Sequence, residues 1–190
     1  GGRLLDDPAF DPMWAAFEEL GLLVFMHPTS GPPRESTEKY TLRTLVYWPN
    51  EHAICVSRLI FAGLFERRPG LNLVLSHGGG TLPFLRGRIN LGYTSPEYEK
   101  NDDCRKNISK PPGDYFDQIY FDTCVASPES TKFLVDLLGA ERVMFGTDFP
   151  YEIGDPEGKH ALPAIDALPA GDREKVMGGN AAAILEKVGG

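Results

Sequence analysis

Four short apolar runs, each closed by a polar side chain able to carry chemistry, constrain this 190-residue chain more than any other feature. Residues 22–26 are wholly apolar and end at His27, and residues 71–75 lead into Ser76 and His77. Residues 119–121 end at Asp122 and Thr123, and residues 143–145 pass through Gly146 to Thr147 and Asp148. Runs without an inside–outside alternation are what parallel sheets bury. Helical patterns lie between them. Met13, Trp14, Phe17 and Leu20 share one face behind Asp11 as N-cap and Pro12 as first helical residue, and Gly21 stops that helix. Further helical patterns cover 51–66 and 81–93, and another starts at Ser127 and Pro128 and runs to Gly139. Two short helices, the second capped by Asn180, close the chain. Strands alternating with helices predict a parallel sheet with helical crossovers. An open doubly wound sheet and a closed barrel both satisfy that pattern.

In either architecture the C-terminal strand ends share one mouth, and catalytic groups gather there. His27, His77 and Asp148 are therefore expected to converge. Two imidazoles and a carboxylate suit a borderline divalent metal such as zinc, and they equally suit general acid–base work. Each has a plainer use: His27 before Pro28 as a hydrogen-bonded turn residue, Asp148 as the cap of the turn that follows. Gly78, Gly79 and Gly80 permit positive φ, and the expectation is that a substrate or loop lies against the backbone there. The polar segment 94–114 reads as a long loop, hence as a lid or mobile segment, and 29–34 as a loop rich in Pro and Gly. His52 is expected to be a cap or a packed side chain, His160 to be exposed, Cys124 to be a small packing residue, and Asp122 to bond other groups at the mouth.

Charge and cysteine usage narrow the partners. A net charge of -8 and a pI near 5.0 argue against nucleic acid and anionic membranes, which reward Lys and Arg. No apolar run reaches the roughly 18–20 residues of a membrane helix. The 3 cysteines include no CxxC pair, which fits a reducing cytoplasm rather than a disulfide framework.

The motifs then become specific. Phe25-Met26-His27-Pro28 resembles the fifth-strand end of the amidohydrolase superfamily, in its group of enzymes like aminocarboxymuconate-semialdehyde decarboxylase. Ser76-His77-Gly78-Gly79-Gly80 with Gly87-Arg88-Ile89 is similar to the sixth-strand end and its helix. Phe145-Gly146-Thr147-Asp148-Phe149-Pro150 resembles the eighth-strand end, and Gly179-Asn180-Ala181 the closing helix. The resemblance is collinear over nearly the whole chain. It implies a (β/α)8 TIM barrel, with residues 1–190 holding strands 5–8 as the C-terminal half of one domain. It also implies a divalent metal, zinc by expectation, held by His27 and Asp148, and His77 beside it as general acid/base. Arg88 is implied to bind a substrate carboxylate, in the family often across a dimer interface, so a homodimer is expected. A guanidinium fork matches a carboxylate bidentately, which makes that role physically sensible; an ordinary surface arginine is the alternative.

One departure stands out. The family's His-x-His pair at the first strand is absent from this sequence, and two protein ligands make a poor zinc site. The expectation is a fragment of a longer protein, with a split enzyme completed by another chain or a self-paired half barrel as alternatives. The activity expected is metal-dependent, nonoxidative decarboxylation of a carboxylated unsaturated or aromatic acid. Hydrolysis or hydration by the same site, and a non-catalytic half barrel serving assembly, are the rivals.

Overall fold

The structure is a computed structural model, and it describes residues 2–29, 35–98, 102–151 and 153–188. Most of the loop expected at 29–34 lies outside the described residues. Four strands, β1 (Leu23–Met26), β2 (Asn72–Leu75), β3 (Ile119–Asp122) and β4 (Val143–Met144), pair in chain order, every pair parallel. Val24 pairs with Leu73, Leu75 with Phe121, and Asp122 with Met144. β1 and β2 begin one residue into their apolar runs, β3 extends one residue past its run to Asp122, and β4 stops at Met144, one residue short of the end of its run at Phe145.

The crossovers are helical, as the alternation predicts. Helix α1 (Asp11–Glu19) precedes β1; α2 (Trp48–Phe61) and α3 (Leu64–Arg67) precede β2. Helix α4 (Arg86–Thr94) follows β2, α5 (Pro128–Leu138) links β3 to β4, and α6 (Leu162–Asp166), α7 (Ala170–Glu174) and α8 (Asn180–Val188) end the chain. The apolar side chains of α2, α3 and α5 pack on Leu73, Leu75, Phe121 and Val143, all wholly buried, and form the main core. The opposite face of the sheet is thinner. There Val74 and Met144 are covered by Ile184 of α8, while Phe25 on β1 is 56% exposed.

Several local expectations change. Asp11 is the first residue of α1 and not its cap; the capping side chain is Asp7, which accepts from Ala9 N at 2.9 Å on the preceding turn. The helix expected over 51–66 starts earlier and breaks at Gly63, where φ is +76° and a Cβ would meet Asn107 O at 2.5 Å. Asn180 spends its amide on β4, donating to Ala140 O and Val143 O at 2.8 Å each, and three helices rather than two end the chain. Ser127 caps α5 as expected, accepting from Ser130 N.

The long segment after α4 is a strap. Ser109 and Tyr115 donate to Glu66 on α3, Asn107 donates to Phe61 O on α2, and Gly113 N donates to Asn90 on α4. Its described residues are thus pinned along the helices, which overturns the lid expected there; 99–101 lie outside the described residues.

Candidate metal centre

The three strand-end residues meet. His27 follows β1, His77 follows β2 and Asp148 follows β4, and ligand atoms from the three lie within 4.8 Å of one another. The Asp148 carboxylate sits between the two rings, Oδ1 at 3.4 Å from His27 Nε2 and Oδ2 at 3.6 Å from His77 Nε2. The imidazoles stand edge to face, centroids 4.9 Å apart, and Tyr151 stacks on the other side of His27 at 6.0 Å.

Backbone conformation is spent to achieve this. His77 at φ +53° and Asp148 at φ +57° occupy the left-handed region, which costs a residue with a side chain about 1–2 kcal/mol. Strain of that kind persists only where the surroundings over-determine it, and it gathers at functional sites. The glycines after His77 also have positive φ, but their closeness serves the protein itself. A Cβ on Gly80 would strike Pro49 O at 1.7 Å, and one on Gly78 would strike Val125 Cγ1 at 2.4 Å. Of the substrate or loop expected against that backbone, the loop after β3 lies against Gly78, and α2 lies against Gly80.

Asp122 ties the turn in place. Buried at the end of β3, its Oδ1 accepts from Gly78 N at 2.9 Å and from Cys124 N at 3.0 Å, the mouth bonding expected of it. Burial pushes its carboxyl up to about 7, and the negative Asp148 adds to the rise. Cys124 behaves as the packing residue expected: burial, with Asp122 beside it, pushes its thiol to about 12, far from a reactive thiolate.

Whether this set fits a metal is answered by His27. Its Nδ1 lies 2.8 Å from the Pro28 carbonyl. A carbonyl only accepts, so Nδ1 carries the proton and Nε2 keeps its lone pair. That Nε2 is buried, has no hydrogen-bond partner among the described residues, and faces a carboxylate oxygen. Two acceptors turned toward each other are held by a cation between them, and a backbone carbonyl on the far nitrogen is the usual support of a metal-ligating imidazole. The donor set fits a divalent ion.

His77 is tuned differently. Burial lowers its pKa, and the nearby Asp148 charge opposes that while His27 adds to it. Behind it lies a group that the sequence offered as a cap or a packed side chain, and the structure buries it. His52 on α2 is 2% exposed, and its Nε2 is 2.9 Å from Ser76 Oγ, which is 3.1 Å from His77 Nδ1. Burial pushes the His52 imidazole down to about 3, so it is neutral. The available signal was its spacing: His52 shares a helical face with the buried Val56, Leu59 and Ile60.

Arg88 lies on the first turn of α4, exposed, with no hydrogen bond or ion pair among the described residues. The neighbouring Arg86 has a structural place, over the Phe116 ring and against Leu137 O. His160 is exposed, as expected.

Comparison with known proteins agrees with this geometry. The family model described as amidohydrolase matches residues 1–187. The chain is 34% identical over 184 residues to 2-amino-3-carboxymuconate-6-semialdehyde decarboxylase of Dictyostelium discoideum, covering 97% of this chain and 50% of that protein. It matches the crystal structure of 5-carboxyvanillate decarboxylase from Sphingomonas paucimobilis with TM-score 0.79 and 28% identity, over 97% of this chain and 55% of that one. The Novosphingobium aromaticivorans 5-carboxyvanillate decarboxylase, complexed with manganese and 4-hydroxy-3-methoxy-5-nitrobenzoic acid, matches at TM-score 0.80 and 25% identity, over 97% of this chain and 53% of that one. The chain spans about half the length of the relatives it matches, and its four parallel strands are half of such a barrel.

Proposed function

The chain belongs to the amidohydrolase family, and on that premise we propose that it carries part of the active site of a metal-dependent, nonoxidative decarboxylase. We read it as the C-terminal half of one barrel domain, completed by the other half that its relatives possess. The substrate is a carboxylated unsaturated or aromatic acid. The observation that carries the reading is the buried, partnerless His27 Nε2 facing Asp148, with His77 on the second carboxylate oxygen.

His27 and Asp148 would hold the ion, zinc by the chemistry of the donors or manganese as in the Novosphingobium enzyme's structure. A divalent ion there supplies Lewis acidity toward the substrate's oxygens. His77 turns Nε2 to the mouth and moves the proton: the bond to the carboxyl carbon breaks, carbon dioxide leaves, and the carbon that keeps the electron pair gains a proton. Asp148 orients that imidazole from 3.6 Å, and Tyr151 stacked on His27 limits the ring's rotation. Arg88, exposed and without a partner among the described residues, would grip a carboxylate of a substrate bound to this chain or to a second copy.

The test is full-length protein offered carboxylated aromatic and unsaturated acids. Carbon dioxide released in step with loss of the acid, and abolished by His77→Ala, is the expected result. A product that gains water without gas would replace decarboxylation by hydrolysis or hydration.

A further inference from the structure

His52 and Ser76 lie behind the site, and neither reaches the mouth. Both are buried, and together they extend a line of hydrogen bonds from His77 Nδ1 back into α2. Buried polar chains of this kind are strongly directional, because the hydroxyl has a single proton to give. We propose that His52 and Ser76 are positioning residues that hold His77 in one ring orientation and one tautomer, with Nδ1 turned into the fold and the Nε2 proton presented to Asp148 and the mouth. The consequence for turnover rests on the decarboxylase reading; the tautomer itself does not.

The sense of the chain follows from its outer end. Asp148 Oδ2, 3.6 Å from His77 Nε2, is an acceptor and favours a proton on that nitrogen. Nδ1 of His77 then accepts from the Ser76 hydroxyl, and Ser76 Oγ accepts from His52 Nε2. In that order the Nε2 proton faces the carboxylate, and each hydrogen bond behind it pairs a donor with an acceptor; in the reverse order two acceptors would face each other at Asp148. Cutting the chain at Ser76 leaves Nδ1 of His77 without its donor, and the two tautomers become close in energy. The ring is packed between His27 and His52, centroids 4.9 and 5.8 Å away, and the hydrogen bond at Nδ1 adds the directionality that ring packing lacks.

The chain has 4 histidines, His27, His52, His77 and His160, so nitrogen-15 correlation spectra of the imidazoles can resolve each ring. Spectra of the whole chain, taken before metal is added, are compared for wild type, Ser76→Ala and Ser76→Thr. The expected result is a single tautomer protonated on Nε2 for wild-type His77, exchange averaging in Ser76→Ala, and restoration by Ser76→Thr, which keeps the hydroxyl. In full-length protein, Ser76→Ala lowers kcat roughly 10–100-fold, the range for lost outer-shell partners, with KM unchanged and Ser76→Thr rescuing. A His77 spectrum identical in wild type and Ser76→Ala, or averaged already in wild type, overturns the proposal. Spectra that respond as expected in a protein releasing no carbon dioxide from any acid leave the positioning role standing and sink the decarboxylase reading.

Discussion

The two faces of the sheet are made from alternate residues of the same four strands, yet they are finished to different degrees. On the helix side Leu73, Leu75, Phe121 and Val143 are sealed under α2, α3 and α5. On the other side Val74 and Met144 form a small cluster with Ile184, edged by Leu23, Tyr120 and Ala181, and Phe25 is largely open to solvent. His27 continues the alternation of Phe25, and Asp122 that of Tyr120, whereas His77 follows Leu75 and leaves the alternation through its left-handed backbone. The helix side is where this chain obtains its own stability. The other side is where it offers the groups at the strand ends, and in a closed barrel such as we propose that face is filled by side chains from all the strands.

The contrast can be broken by measurement. Phe121→Ala on the sealed face should cost about 3–5 kcal/mol in urea unfolding, and a cost under ~1 kcal/mol would erase the distinction. Next in size is metal. In full-length protein, manganese or zinc at about 100 times its Kd should add ~2.7 kcal/mol of stability, seen as a rise in Tm. His27→Ala and Asp148→Ala should lose that rise; if both keep it, the ion sits elsewhere.

Acid sharpens the picture further. The folded His52 imidazole titrates near 3 against an ordinary 6.5, so below pH 6.5 the unfolded chain takes up a proton that the folded chain refuses. Its contribution is present above 6.5 and drains away as pH falls toward 3. Asp122, pushed up to about 7, works in the opposite sense between its ordinary 3.8 and 7. The comparison is therefore of wild type with His52→Gln, whose stability should fall less steeply over that range; equal slopes would show that His52 is not held neutral. The smallest effect is expected at Phe25→Ala, within ~0.5 kcal/mol in this chain, as for an exposed position. If, as we propose, a second half of the barrel covers that face, the same change in the completed barrel should cost several kcal/mol, and an equally small value in both would refute the cover.

Much of this was legible before any coordinates. Unbroken apolar runs such as Leu73 to Leu75 declare buried parallel strands, and Ser127 with Pro128 declares a helix start, because both signals are local. The convergence of His27, His77 and Asp148 also followed, since parallel strands oblige their C-terminal ends to share a mouth. Other features depend on partners distant in sequence. Glu66 holds the strap through Ser109 and Tyr115, Gly80 makes room for Pro49, and Asn180 serves β4 rather than its own helix. A loop's composition says nothing of what it will be tied to.

By itself the sequence determined the layer order and the identities of the groups at the strand ends, for those depend on periodicity and on the direction of a parallel crossover. Only the tertiary structure decided that the lone pair of His27 is left free by the Pro28 carbonyl, and that His77 is anchored through Ser76 to a neutral His52. Such matters turn on hydrogen-bond distances between side chains brought together by packing, which spacing along the chain does not encode.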